Sequence, residues 1–336
     1  MKRYRLSVLP VALVLAAASL AACSGGSNAG QATDCSTMTL ATVDDDAQRA
    51  GLWAIENHKV TSDRIRDLKV SYLQIPALIG ATGTNQFDVV QTSVNGVPRA
   101  IASGLDLKIV MLSNAQTGGG QRTWVRAGSP ITSVSDLKGK TVGLLSLGST
   151  GYLFAAKTFQ DKYHVNPAQV GGDVKWVELD PPTLLNALRK GDVDAAVMAL
   201  APDWQASQDP GLRLVGDMPA EYRQLTGQWP LGAAFVMRTP AVNAAPDCVT
   251  AFQQLITQSA DYAKAHINEI GPQIAQQTGA PLGWVQYYWS GKWEYAGMDN
   301  EWIARGQAAL DAAYEFGQLK QPVNISTLIA APAHKE

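Results

Sequence analysis

The sequence contains few of the residues that most catalytic and metal sites require. It has three cysteines and four histidines, and these are scattered rather than grouped at the spacing of metal ligands. No Gly-x-Ser-x-Gly elbow, zinc-binding pattern or dinucleotide fingerprint occurs. We therefore expect a protein that is not an enzyme and that holds no metal and no cofactor.

Excess positive charge and long apolar runs are also missing. The 27 basic residues are balanced by 29 acidic ones, and the formal net charge is −2. Because no basic run occurs, a nucleic acid is not an expected partner. Beyond residue 20, no stretch of the sequence is long and apolar enough to cross a bilayer.

The beginning of the chain has the order of an export signal. Basic residues at positions 2, 3 and 5 precede an apolar segment at 6–20, and Leu-Ala-Ala-Cys closes the segment at Cys23. This ending resembles the lipobox of bacterial lipoproteins, which implies that residues 1–22 are removed and that Cys23 carries the lipid. Residues 23–36 would then form a tether. The alternative is a cysteine that happens to end an ordinary signal peptide.

Two cysteines remain in the exported chain, Cys35 and Cys248. An even pair in an oxidising space favours a disulfide between them. The alternative is two isolated thiols.

From residue 38 onward, short apolar strands alternate with helical patterns. This alternation is typical of an α/β fold with mostly parallel sheets that are flanked by helices. The predicted strands are at 38–43, 68–73, 87–90, 107–112, 141–147, 174–178 and 193–200, and the chain from 249 to 319 reads as helices, one of them at 282–293.

Two further strands, near 121–126 and 232–238, are candidates to cross between two lobes. Lobe 1 is then discontinuous and made of residues 37–126 and 232–336, and lobe 2 is made of residues 127–231. A connection by two strands permits hinge closure around a ligand in the cleft between the lobes.

The turn that follows the strand at 141–147 is the most informative local pattern. Gly148, Ser149, Thr150 and Gly151 lead from this strand into a helix, so Ser149 or Thr150 caps the helix. Unpaired backbone N–H groups and the positive end of the helix dipole gather there, which outlines a site for a small anion. The alternative is an ordinary cap. No lysine follows the glycines, which disfavours a nucleotide.

Four local patterns carry a resemblance to a known family. They are Asp-Leu-Lys-Gly-Lys-Thr-Val at 136–142 with Gly-Ser-Thr at 148–150, Leu-Asp-Pro-Pro at 179–182, Ala-Leu-Arg-Lys-Gly-Asp-Val-Asp-Ala-Ala at 187–196, and Phe-Val-Met-Arg at 235–238. In order and spacing, residues 37–320 resemble the substrate-binding proteins of bacterial ABC importers. The branch is the nitrate, sulfonate and taurine family, also called aliphatic sulfonate-binding or NMT1-like.

The resemblance implies a type II periplasmic binding protein fold with two lobes. It also implies a monomer without catalytic activity, located outside the cytoplasmic membrane, that delivers a small organic anion to an ABC permease. Carried over by position, the family's ligand contacts fall at strand ends on Thr42, Asp44, Asp45, Gln91, Thr92, Ser93, Ser149, Thr150, Asp180, Pro202, Asp203 and Trp204.

The sequence departs from the family pattern in two ways. Residues 231–234 are small and uncharged where some taurine-type members place an acid, so taurine itself is not the expected ligand. Conversely, three consecutive acids at 44–46 form either a solvated turn or a receptor for a ligand amine.

The aromatic segment at 284–295 either packs the helices of one lobe or sends a ring to a heterocyclic ligand, such as a thiamine-precursor pyrimidine. A role as the ligand-loaded partner of a membrane sensor also stays open.

Overall fold

A computed structural model describes residues 34–330 of the chain. The predicted export signal and the lipid-bearing Cys23 lie outside these residues. The strands are β1 (Thr37–Val43), β2 (Asp67–Leu73), β3 (Val89–Ser93), β4 (Leu107–Gln116), β5 (Arg122–Arg126), β6 (Thr141–Leu144), β7 (Lys175–Glu178), β8 (Ala195–Met198), β9 (Leu212–Asp217), β10 (Leu231–Arg238) and β11 (Trp293–Gly297). The helices are α1 (Asp46–Glu56), α2 (Ile75–Thr82), α3 (Gly96–Ala102), α4 (Thr150–Asp161), α5 (Pro181–Lys190), α6 (Leu200–Ser207), α7 (Met218–Thr226), α8 (Thr239–Ala244), α9 (Pro246–Thr278), α10 (Trp284–Trp289) and α11 (Asn300–Glu315).

The strands form two separate sheets, and each sheet defines one lobe. Lobe 1 contains six strands in the order β11-β4-β10-β3-β1-β2, and lobe 2 contains five in the order β7-β6-β8-β5-β9. In each sheet four strands run in one direction, and β5, β10 and β11 run against them. The predicted two-lobed α/β fold with mostly parallel sheets is confirmed.

The central strands are apolar because helices cover both faces of each sheet. β8 is buried at every position, and β4 and β10 are buried at nearly all of theirs. Long α9 packs against α1 on one face of lobe 1, while α11 packs against α4 and against β10. The core therefore continues from one lobe to the other beneath the crossing strands.

The two crossing strands belong to different sheets. β10 lies between β3 and β4 in lobe 1, as expected. β5 pairs with β8 and β9 in lobe 2, so the chain changes lobes before Arg122 and not after Arg126. The residue limits of the lobes otherwise stay a prediction.

Several local expectations were wrong. Residues 282–293 do not form one helix, since α10 ends at Trp289 and β11 begins at Trp293. Trp293 and Tyr295 are both buried while Glu294 between them is exposed, which is the period of a strand. The structure also contains α7, which the sequence pattern did not indicate.

Cys35 and Cys248 are joined by a disulfide, with their Cα atoms 5.9 Å apart. The bond ties Cys35, two residues before β1, to the first turn of α9. Among residues 34–330, no helix has the length and apolar character needed to cross a membrane.

Candidate functional site

The two lobes meet where the parallel strands end. The Thr150 hydroxyl at the start of α4 donates to the carbonyl of Gly232 in β10 at 3.1 Å. A side chain at Gly232 would begin 3.5 Å from Cβ of Asn114 and 3.7 Å from Oγ1 of Thr150. Gly232 in lobe 1 therefore lies in van der Waals range of both the end of β4 and the turn of lobe 2 that begins α4.

The turn before α4 is also held from lobe 1 through its backbone. Nδ2 of Asn95 and Nη2 of Arg99 donate to the carbonyl of Gly148 at 3.1 and 3.2 Å. Nε2 of Gln318 donates to the carbonyl of Leu147 at 2.9 Å. Three side chains of lobe 1 thus fix the segment that leads into Ser149.

Ser149 is the N-cap of α4. Its hydroxyl accepts from the backbone N–H of Tyr152 at 3.3 Å and donates to the carbonyl of Ser146 at 2.6 Å. The N–H groups of Thr150 and Gly151 stand in the first helical turn, where no acceptor exists within the helix. The positive end of α4 therefore points at the boundary between the lobes.

The wall of lobe 1 opposite this turn is a buried polar network. Thr42 donates from Oγ1 to Oε1 of Gln91 at 2.7 Å, and both residues are buried, with 0% and 1% of their surface exposed. Nε2 of Gln91 donates to Oε1 of Gln48 at 3.2 Å, and Nε2 of Gln48 donates to Oδ1 of Asn114 at 2.8 Å. These hydrogen bonds fix the wall. The side chains of Thr42 and Gln91 use their polar atoms within it.

The three acids that follow β1 have different surroundings. Asp44 is exposed and pairs with Arg49 at 2.7 Å. Asp45 is the N-cap of α1 and accepts from the backbone N–H groups of Ala47 and Gln48 at 2.9 and 3.4 Å. Burial, with the neighbouring charge of Asp46 as a further cause, raises the pKa of Asp45 to about 7.

Asp203 is held by five donor contacts and is 1% exposed. The guanidinium of Arg122 binds it through Nε and Nη2, and Nη2 lies 2.8 Å from Oδ2. Nε1 of Trp124 and the backbone N–H of Gly120 donate to it at 2.8 and 3.1 Å. These contacts tie the first crossing segment to α6 and favour a structural role for this carboxylate over direct contact with a ligand.

The other predicted contacts are dispersed. Thr92 and Ser93 lie inside β3 and not after it, so they pair with Ala234 and Ala233 of β10. Asp180 is an exposed N-cap of α5, and its side chain accepts from the backbone N–H of Thr183 at 2.9 Å. Within α6, Pro202 is buried and Trp204 is half-buried.

Polar residues near the lobe boundary that the sequence pattern missed are Gln48, Asn114, Gln116 and Gln121. Asn114, Gln121 and Leu200 adopt positive φ angles of 63°, 57° and 58°. Asn114 lies near the end of β4, Gln121 directly precedes β5, and Leu200 is the first residue of α6. Strained backbone of this kind concentrates at functional sites. Only Gln121 carried a signal in the sequence, because it follows three consecutive glycines.

The aromatic segment mostly packs lobe 1 together. Trp284, Tyr288 and Trp289 are buried. The ring of Tyr288 is tilted against that of Trp293, and the ring of Trp289 meets it edge-on, with centroids 5.2 and 5.4 Å apart. Nε1 of Trp289 donates to the carbonyl of Ala47 at 3.2 Å, so α10 lies across the first turn of α1. No group of three or more potential metal ligands occurs within residues 34–330.

Solved structures show the same fold. The periplasmic aliphatic sulphonate-binding protein SsuA of Escherichia coli superposes with a TM-score of 0.69 at 17% identity, over 90% of this chain and 94% of that one. The alkanesulfonate-binding protein SsuA of Xanthomonas axonopodis pv. citri, bound to MOPS, gives a TM-score of 0.66 at 19% identity, over 88% and 98%.

A third match is the ligand-binding component of an ABC-type import system from Staphylococcus aureus, solved with zinc bound. Its TM-score is 0.69 at 12% identity, and 88% of this chain and 97% of that one are covered. No curated protein matches the sequence. The family model described as "NMT1/THI5 like" matches residues 67–270, which is more than half of the chain, and the protein therefore belongs to the NMT1/THI5-like family with a type II periplasmic binding fold.

Proposed function

We propose that this protein is the solute-binding component of an ABC importer and captures a small organic anion, a sulfonate or a carboxylate, between its lobes. The observation that carries the proposal is the N-terminus of α4 at the lobe boundary, where Ser149 caps the helix and Thr150 reaches Gly232. First-turn N–H groups, the helix dipole and two hydroxyls form a suitable seat for an anionic group.

The fold supports binding by closure. Each lobe contributes strand ends to the boundary, and the ligand position of open α/β sheets lies beyond such ends. The lobes are joined by the segments before β5 and β10, which gives the two-stranded hinge that closure requires. In this proposal, binding displaces water, draws the lobes together and produces the form that docks on the permease.

We propose further that the protein acts outside the cytoplasmic membrane. The chain is exported and anchored there by lipid on Cys23, and it acts as a monomer. The basic, apolar and small-residue order at the start of the sequence supports this. A disulfide between Cys35 and Cys248 agrees with an oxidising space.

A test is a thermal-shift screen of the full chain with alkane and aromatic sulfonates, small carboxylates, nitrate and thiamine-related pyrimidines. A ligand that binds only the native state raises the unfolding midpoint. We expect a shift with a sulfonate or a carboxylate. A shift with a pyrimidine alone would favour the alternative, a heterocycle binder.

Replacing both Ser149 and Thr150 by alanine is expected to weaken anion binding by about 1–3 kcal/mol, because hydrogen bonds to a charged group and the helix cap are lost. Titration calorimetry of the wild type and the double variant measures this. Ser133→Ala is the matched control, since Ser133 also caps a helical turn, Val134–Leu137, in lobe 2. Equal affinity of the double variant and the control would remove the α4 site from the proposal.

A further inference from the structure

A second cavity, of about 750 Å³, lies between residues of the two lobes. Lobe 2 lines it with the end of the turn before α4, with α4 itself and with residues 166–169. Lobe 1 lines it with Arg99 of α3 and with residues 315–318 at the end of α11. Small-molecule sites commonly enclose roughly 300–1,000 Å³, so the space is sufficient for an organic ligand.

This cavity and the polar network of the cleft lie on different faces of the six-stranded sheet. Side chains along β10 alternate between these faces. Ala234 and Val236 pack in one core with α3 and α11, whereas Phe235 and Met237 pack in another with α1 and α9. The polar network includes Gln48 of α1. The cavity lies on the side of α3 and α11 and is therefore a separate space.

Arg99 brings a positive charge to the cavity that no acid balances. Among residues 34–330 it forms no ion pair, and Nη2 donates only to the carbonyl of Gly148, at 3.2 Å. Since a guanidinium has five N–H donors, most of them are not used within this part of the chain. Burial lowers the pKa of Arg99; burial acts on Arg122 in the same direction, but the carboxylate of Asp203 raises the pKa of that arginine above its usual value.

The other charged side chain of the lining is already paired. Glu315 lies 2.8 Å from Nζ of Lys157, and the same lysine lies 2.7 Å from Asp161. Nε2 of Gln160 donates to the second carboxylate oxygen of Glu315 at 3.4 Å. Glu315 is therefore held by α4, and the charge of the cavity that lacks a partner is that of Arg99.

Two carboxamides of the lining add N–H donors. Oδ1 of Asn166 accepts from the backbone N–H of Ala168 at 3.0 Å, while Nδ2 has no partner among the residues that the structure describes. Nε2 of Gln169 is 3.5 Å from the carbonyl of Leu147, which is at the outer limit of a hydrogen bond. A positive charge together with available N–H groups suits an anion.

We propose that this cavity is a second binding site, for an organic carboxylate or phosphate whose anionic group pairs with Arg99. Arginine forms bidentate hydrogen bonds with either group. Asn166 and Gln169 donate to the remaining polar atoms of the ligand, and Phe316 and Pro167 of the lining pack against its carbon atoms. The site does not depend on which ligand the cleft binds.

The experiment is titration calorimetry of the full chain with four probes: succinate and citrate as carboxylates, and glycerol 3-phosphate and glucose 6-phosphate as phosphates. We expect at least one probe to bind the wild type, and its class identifies the anionic group. Arg99→Gln should weaken this probe about tenfold or more, because a hydrogen-bonded charge pair is lost. Arg99→Lys keeps the charge and should recover part of the affinity. The double variant Ser149→Ala, Thr150→Ala should bind the probe as the wild type does.

Arg66→Gln is the matched control. It removes the same charge from an exposed arginine of lobe 1 that forms no ion pair within residues 34–330 and does not line the cavity. The control should bind the probe as the wild type does. An equal loss in Arg66→Gln would indicate attraction to net charge alone, and loss in the double variant would place the probe in the cleft. Either result, or no binding of any probe, would overturn this inference and leave the proposed function to its own ligand screen.

Discussion

Replacing Asp203 by alanine is expected to lower the free energy of unfolding by about 3–5 kcal/mol, the usual cost of removing one partner of a buried ion pair. Asp203 is 1% exposed, and the side chain of Arg122 is 11% exposed. Without the carboxylate, the guanidinium, the indole N–H of Trp124 and the backbone N–H of Gly120 all lose their acceptor. Urea unfolding followed by circular dichroism measures the change.

The control for this experiment is Asp209→Ala. Asp209 pairs with Arg189 at 2.8 Å, but the side chains are 21% and 45% exposed, so the loss should stay within about 1 kcal/mol. A similar effect of the two variants would contradict the structural role of Asp203. If Asp203→Ala instead kept its stability and lost ligand binding, the residue would return to the set of ligand contacts.

The second large effect concerns the disulfide. Replacing both Cys35 and Cys248 by serine is expected to lower the free energy of unfolding by about 2–5 kcal/mol, because the bond closes a long loop in the unfolded chain. The two cysteines are separated by 213 residues, and both are buried. Comparing urea unfolding of the wild type and the double variant tests this expectation.

A reductant supplies the control. It should destabilise the wild type towards the level of the double variant and leave the variant unchanged. An unfolding curve of the wild type that does not respond to full reduction would contradict the expectation. Since the bond joins Cys35, two residues before β1, to α9, protection from proteolysis near the beginning of β1 should be lost in parallel.

Much of the fold could be predicted from local patterns. β1, β2, β5 and β10 were placed within one or two residues of their observed bounds, because alternating or continuous apolar residues mark buried strands. Segments whose pattern fits two structures were less certain. Trp293 extends an apolar helical pattern, yet it begins an edge strand because β4 offers it a hydrogen-bonding partner. That partner is distant in the sequence.

Some residues of the candidate site could likewise be predicted from local sequence, and others could not. Ser149 was identifiable as a helix cap because a strand, a glycine and a hydroxyl residue stand in direct succession, and the structure places it there. Thr42, Gln91 and Asp203 were expected at the ligand, but whether a polar side chain is free or satisfied depends on neighbours that the local pattern does not contain. Asp203 meets Arg122 across 81 positions of the chain.

The sequence by itself determined the α/β class, the strands β5 and β10 and the cap of α4, since each depends on residues close together in the chain. Only the tertiary structure decided which acids are neutralised. Arg122 neutralises Asp203 across 81 positions of the chain, while Asp45 forms no ion pair within residues 34–330. The pairing of Asp203 arises from folding, because it joins side chains that the sequence keeps far apart.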